Sequence, residues 1–231
     1  MRIAIMQPYL FPYVGYFQLI ASVDKFVFYD DVNFIKGGWI NRNRILLNGQ
    51  PHYFTIPLAG ASPHRKICEI GVDDRLDWVA PMRKSFTHAY GRFESFGLVE
   101  SIFESTLGAN HKLIGELAKE SILQTCKVLG VGAMFEMTSS VYRNTELRGA
   151  SRVIDICIRE GATEYVNLPG GRRLYSEAEF AEAGIELKFL DPILASYPQR
   201  TPHFVSALSI LDVIAGAGFG ARGHLLLDRS Q

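Results

Sequence analysis

The chain has 231 residues, 48% of them hydrophobic and 21% charged, and its 24 Lys and Arg balance 24 Asp and Glu to a net charge of zero. This composition excludes general disorder and argues against a basic nucleic-acid-coating protein. The length suits one large domain that buries a core without staples.

Three cysteines, Cys68, Cys126 and Cys157, stand far apart with no CxxC pair. An odd count does not suit a disulfide framework, so all three are expected to be structural thiols in a reducing compartment. The start, Met1-Arg-Ile-Ala-Ile-Met-Gln-Pro, lacks the apolar region of a signal peptide. No stretch approaches the roughly 18 apolar residues of a membrane span. A cytoplasmic protein is therefore expected.

In chain order, Ile3 to Met6 reads as a buried strand that ends at Gln7-Pro8. An aromatic loop with two prolines and Gly15 follows. Tyr16 to Val23 reads as a helix with Phe17, Ile20 and Val23 on one face. Phe26 to Tyr29 reads as a second strand, completing a unit of βαβ size whose strands would be parallel. Asp30 to Asn43 reads as a long loop. Asn48-Gly49, set between Arg44–Leu47 and His52–Leu58, is the strongest hairpin signal. Ile67 to Val72 reads as a further short strand.

From Arg75 to Gly130 the period becomes helical, with Trp78, Met82, Phe86 and Ala89 opening the pattern. Phe93 to Leu107 and His111 to Leu129 continue it. Phe135 to Ser140 reads as a strand. Ala150 to Glu160 reads as a helix with Val153, Ile154 and Ile158 inward. Glu164 to Asn167 is a short strand, and Ser176-Glu-Ala-Glu179 matches a capping box. Ile185 to Leu190 reads as a strand. Ser206 to Ala217 is the final helix, carrying a lone carboxylate, Asp212, ahead of a Gly-rich stretch and a polar tail. The expected fold is α/β: a mostly parallel, Rossmann-like sheet flanked by helices, with an inserted β-hairpin and a central helical segment. Residues 1–231 form one domain in this reading, with 75–130 as a helical insertion or lid.

Three stretches sit where ligands of open α/β sheets bind, beyond the carboxyl ends of strands. The first, Gln7 to Tyr16, contributes Gln7, Tyr9, Pro12, Gly15 and Tyr16. It opens a helix whose free N–H groups suit an anion. The second follows the second strand. Asp30 and Asp31 suit an ammonium group, a metal or a sugar hydroxyl, and strand alternation lets at most one of them face a site. Lys36 and Arg42 suit phosphate or carboxylate, with Trp39, Asn41 and Asn43 among them. The third supplies Asn167, Gly170, Gly171 and Arg172. The six histidines lack zinc-ligand spacing, so no metal site is expected, and Walker, GxGxxG and GxSxG patterns are absent.

The stretches Met6 to Ile20, Tyr29 to Lys36, Gly38 to Arg44, Asn167 to Arg172 and Leu208 to Val213 together resemble the WbqC-like protein family, in the expected order, over about residues 1–215. The middle matches only in its helical character. The resemblance implies a role in bacterial O-antigen and other surface-polysaccharide synthesis, with glycine transfer as the associated activity. It gives no settled mechanism and no cofactor. On this reading Asp30, Asp31 and Lys36 carry the chemistry. Asp30 or Asp31 would bind the ammonium of an activated glycyl group, Lys36, Arg42 and Arg172 would hold an anionic donor, and one carboxylate would act as base. The partners are then a small-molecule or glycan acceptor and an aminoacyl donor, with tRNA as the one nucleic acid in view. Two alternatives stand beside it. One is a nucleotide or sugar-nucleotide enzyme of nucleotidylyl-transferase-like architecture, although the histidine pair of that class is missing. The other is a non-catalytic carbohydrate-binding protein.

Overall fold

The computed structural model describes residues 1–225; the polar tail expected from the sequence falls largely outside them. Strand β1 (Arg2–Met6) leads through helix α1 (Val14–Ser22) to β2 (Lys25–Phe28), which pairs parallel to β1. A long excursion follows. It holds the hairpin β3 (Arg42–Leu47) and β4 (Gln50–Thr55), the short antiparallel pair β5 (Leu58–Ala59) and β6 (Gly71–Val72), and helices α2 (Val79–Tyr90), α3 (Phe96–Gly108) and α4 (Ile114–Leu129). The chain then returns as β7 (Met134–Glu136), α5 (Gly149–Arg159), β8 (Glu164–Asn167), α6 (Glu177–Glu182), β9 (Glu186–Phe189) and α7 (Ile210–Ala217). The main sheet is five-stranded and wholly parallel, in the order β7-β2-β1-β8-β9. The expected α/β class, the parallel sheet and the inserted hairpin are all present.

Parallel strands buried on both faces need apolar side chains on both, and their alternation here feeds two cores. Ala4, Phe26, Phe28 and Val166 point into the larger, with α1, α2, α3, α4 and α7. Ile3, Ile5, Val27 and Tyr165 point into the smaller, with α5 and α6. Helices α2 to α4 carry Phe86, Phe103 and Ile122 into the same larger core as the sheet. No helix among the described residues is long and apolar enough to cross a membrane.

Four local expectations need correction. On α5 the buried stripe is Arg152, Val153, Ile156 and Cys157, while Ile158 is 58% exposed. Residue 158 falls one step of about 100° beyond Cys157 and so outside that stripe; the apolar run misleads as to phase. Ser176 does cap α6, but its side chain accepts no backbone hydrogen bond, so the capping box is not formed. Helix α7 starts at Ile210, capped by Ser209, whose hydroxyl accepts from the Leu211 N–H. Ile67 to Glu69 is a 3-10 turn, leaving only Gly71–Val72 as strand.

The hairpin turn is the one that Asn48-Gly49 implies. Leu47 pairs with Gln50 around two left-handed residues, with φ of 51° and 76°. A Cβ on Gly49 would meet only Thr201 Oγ1, at 3.7 Å. Gly49→Ala is therefore expected to cost about 1–2 kcal/mol from backbone strain rather than crowding. Urea denaturation reads it directly, and an unchanged midpoint would refute the assignment of strain.

Candidate functional site

Because β2, β1 and β8 are adjacent and parallel, the loops that follow them leave one edge of the sheet. These are the three stretches singled out in the sequence. The first two are bolted together. Asn43 Nδ2 donates to the carbonyls of Leu10 and Phe11, each at 2.9 Å, and the Leu10 N–H donates to the Trp39 carbonyl at 2.9 Å. Phe11 is held in a left-handed conformation, φ 40°. Such a residue persists only when its surroundings over-determine it. Here the Ser121 hydroxyl accepts from its N–H at 3.0 Å, and Ser209 Oγ donates to its carbonyl at 2.8 Å. The Ile210 N–H adds a bond to the Pro12 carbonyl. The aromatic loop is thus a rigid platform tied to β3, α4 and α7.

The paired carboxylates sit just past β2 and pair with different helices. Asp30 faces α4: Oδ2 accepts from Lys119 Nζ at 2.6 Å, and Oδ1 accepts from Thr138 Oγ1 at 2.8 Å and the Ser139 N–H at 3.1 Å. Asp31 faces α5 and takes both its oxygens to Arg152 Nη2, at 2.7 and 2.6 Å. Ser139 Oγ donates to Asp31 as well. Arg152 also donates to Asn144 Oδ1 at 2.9 Å and lies 5.0 Å over the Tyr29 ring. All four charged groups are 1–4% exposed. Lys119 already occupies the ammonium position beside Asp30, shared with Glu116 at 2.8 Å. Among the described residues no three or more His, Cys, Asp or Glu side chains converge as metal ligands.

The remaining residues divide by exposure. Lys36 and Gly170 are exposed, and Gln7, Tyr9, Trp39, Asn41 and Arg42 are half-buried. Arg172 is exposed, paired with Asp191 at 2.9 Å and set 4.9 Å over Phe189. Trp39 stacks loosely on Tyr53 at 6.2 Å, with Arg44 and Arg42 against the two rings. Arg42 also donates to the carbonyls of Gly37 and Gly38. Pro12, Gly15, Tyr16, Asn43, Asn167 and Gly171 are buried. Tyr16 donates to the Gln7 carbonyl at 2.8 Å, and Asn41 donates to the Ile56 carbonyl at 2.9 Å. A Cβ on Gly15 would lie 2.6 Å from the Tyr13 ring and 2.7 Å from Pro192, so close packing accounts for this glycine. Asn167 Oδ1 accepts from the Leu168 N–H at 2.7 Å, and Gly171 packs on the Asn167 side chain. Trp39 packs against the hairpin and the loop after β1, whereas Gly171 packs beside Asn167; among the described residues no hydrogen bond or ring contact joins the two.

Lys119, Arg152, Thr138 and Ser139 are the partners that the sequence reading missed. Arg152 alone left a signal: a charge in register with Val153 and Ile156 on a buried helical stripe. Thiol chemistry finds little support. Burial pushes Cys126 and Cys157 up to about 12, and Cys68 is raised by burial and by the nearby Asp30 charge.

Comparison with known proteins agrees with these motifs. The WbqC-like protein family matches residues 7–222, and the chain belongs to that family. A Mycobacterium tuberculosis (strain ATCC 25618 / H37Rv) protein, described only as uncharacterized protein Rv1507c, is 30% identical over 227 residues, covering 97% of each chain. No solved structure matches the chain.

Proposed function

We propose that this member of the WbqC-like family is a transferase that moves an aminoacyl group, glycine first, from an activated donor to an amino or hydroxyl group of a sugar in a surface-polysaccharide precursor. One observation supports the location: the motif loops after β1, β2 and β8 leave the same edge of three adjacent parallel strands, where α/β proteins hold ligands. On that rim Lys36 and Arg172 face an anionic donor, and Tyr9 and Trp39 offer flat rings to a sugar or base. Asp30 and Asp31 act as positioning residues, fixing the loop after β2 to both helical layers. The acceptor nitrogen or oxygen attacks the glycyl carbonyl, the bond to the donor breaks with its electron pair on the departing hydroxyl, phosphate or thiolate, and the acceptor's proton passes to that leaving group or to water. With its thiols buried or raised, the protein needs no acyl intermediate of its own.

Incubation of the purified protein with glycyl-tRNA, glycyl adenylate or a glycyl thioester, each with sugar-nucleotide and amino-sugar acceptors, tests this by mass spectrometry. An acceptor heavier by one glycyl residue is expected from one donor class. Cys68→Ser is expected to transfer at close to the parent rate. No adduct from any donor would sink the transferase reading, and silence of Cys68→Ser alone would replace direct transfer with a thioester route.

A further inference from the structure

A concavity lies away from the sheet rim, at the turn end of the hairpin. Asn48 is six residues from Arg42, about 20 Å along an extended strand. The cleft has a volume of about 470 Å³, within the range of small-molecule sites. Its walls are the hairpin turn, the end of α2 and residues 199–200, and its floor is Asp212 of α7.

The floor is polar and nearly buried. Asp212 is 4% exposed, and its Oδ2 accepts from Tyr197 Oη and Gln199 Nε2, each at 2.9 Å. Tyr90 is 1% exposed, and its hydroxyl has no hydrogen-bond partner of ordinary geometry. It adjoins Asp212 and the Leu46 backbone closely enough to feel both. A buried hydroxyl held only by such imperfect contacts gains from a better-placed partner. Burial also pushes the Asp212 carboxyl above its ordinary range.

The mouth carries two guanidinium groups. Arg92 and Arg200 line it, with His88 beside them, against that single buried carboxyl. Arg200 is steadied by a 2.9 Å bond to the Arg92 carbonyl and by the Phe93 ring 5.2 Å beneath it. His88 Nε2 sits 3.0 Å from Asn48 Oδ1. Arg92 is exposed, with no side-chain partner among the described residues. Hydroxyl-binding groups below and guanidinium groups above suit a guest with hydroxyls at one end and an anion at the other.

We propose that this cleft binds a phosphorylated sugar, its hydroxyls seated on Tyr90 and Asp212 and its phosphate held by Arg92 and Arg200. The inference stands apart from the transferase reading, since binding is measured with no aminoacyl donor present. The same chemistry comes as a free sugar phosphate or as the sugar-phosphate part of a nucleotide sugar.

Isothermal calorimetry on the full chain, with glucose 1-phosphate, N-acetylglucosamine 1-phosphate and mannose 1-phosphate as probes, tests it. Glucose, inorganic phosphate and UDP-glucose serve as comparisons. Saturable binding of at least one sugar phosphate is expected, tighter than glucose or phosphate alone. Tighter binding of UDP-glucose assigns the cleft to the nucleotide-linked form, and weaker binding assigns it to the free form. Arg92→Gln with Arg200→Gln is expected to weaken binding roughly tenfold or more. Tyr90→Phe is the discriminating variant. A purely structural tyrosine predicts unchanged binding and a fold at least as stable, whereas the proposal predicts several-fold weaker binding with thermal unfolding preserved. No saturable binding by any of the three probes, inorganic phosphate binding as tightly as the sugar phosphates, or affinity untouched in both variants would overturn it.

Discussion

Replacing Arg152 with methionine is expected to destabilise the protein by about 3–5 kcal/mol, because it leaves the Asp31 carboxylate buried without a counter-charge. Both Asp31 oxygens go to Arg152, and among the described residues the one other side-chain donor is Ser139. Water cannot reach the carboxylate to compensate: the two side chains are 2% and 4% exposed. The change also removes the donor to Asn144 and the stack on Tyr29. The double variant Arg152→Met with Asp31→Leu is expected to recover most of the loss, since a buried ion pair is worth little against a well-packed apolar pair. Urea denaturation of the parent, both single variants and the double variant closes the cycle. If Arg152→Met loses less than about 1 kcal/mol, the pair is not the clasp between β2 and α5 that its geometry indicates.

The same ion pairs mark where the sequence becomes hard to read. Elements with local signals are legible: alternation across β1 and β2, Asn48-Gly49 at the hairpin, and the helical period from Trp78 onward. These depend on residues a few positions apart, which set periodicity and turn chemistry. The site depends on residues 89 and 121 positions apart, the separations of Asp30–Lys119 and Asp31–Arg152. Nothing local to Asp30 or Asp31 says which cation will close on it. Asn43 illustrates the reverse error of emphasis. An amide amid basic and aromatic residues reads as a ligand contact, yet its hydrogen-bonding groups go to Leu10, Phe11 and the Arg44 N–H. A motif can thus preserve a scaffold as readily as a contact, and only folded geometry tells the two apart.

Asp30 supplies the second large effect, through an asymmetry within its pair. Asp30→Leu is expected to cost about 3–5 kcal/mol, and Lys119→Met only about 2 kcal/mol. Removing the carboxylate strands three donors at once: the Lys119 ammonium, the Thr138 hydroxyl and the Ser139 N–H. Lys119 keeps only Glu116, whose side chain is 37% exposed and so gives a partly screened pairing. Removing the lysine leaves Asp30 with the Thr138 and Ser139 donors, enough to satisfy one oxygen. Denaturation of the two variants side by side gives the order, and equal losses would mean that the loop's hydrogen bonds add nothing to the charge pair. Asp30→Asn then separates fold from chemistry. The amide keeps the shape and can still accept from Thr138 and Ser139, but its NH2 then faces the Lys119 ammonium, so a stability between those of the parent and Asp30→Leu is expected. If glycyl transfer also remains, the carboxylate serves to position the loop after β2; if transfer stops in a folded Asp30→Asn protein, the reaction itself requires the negative charge.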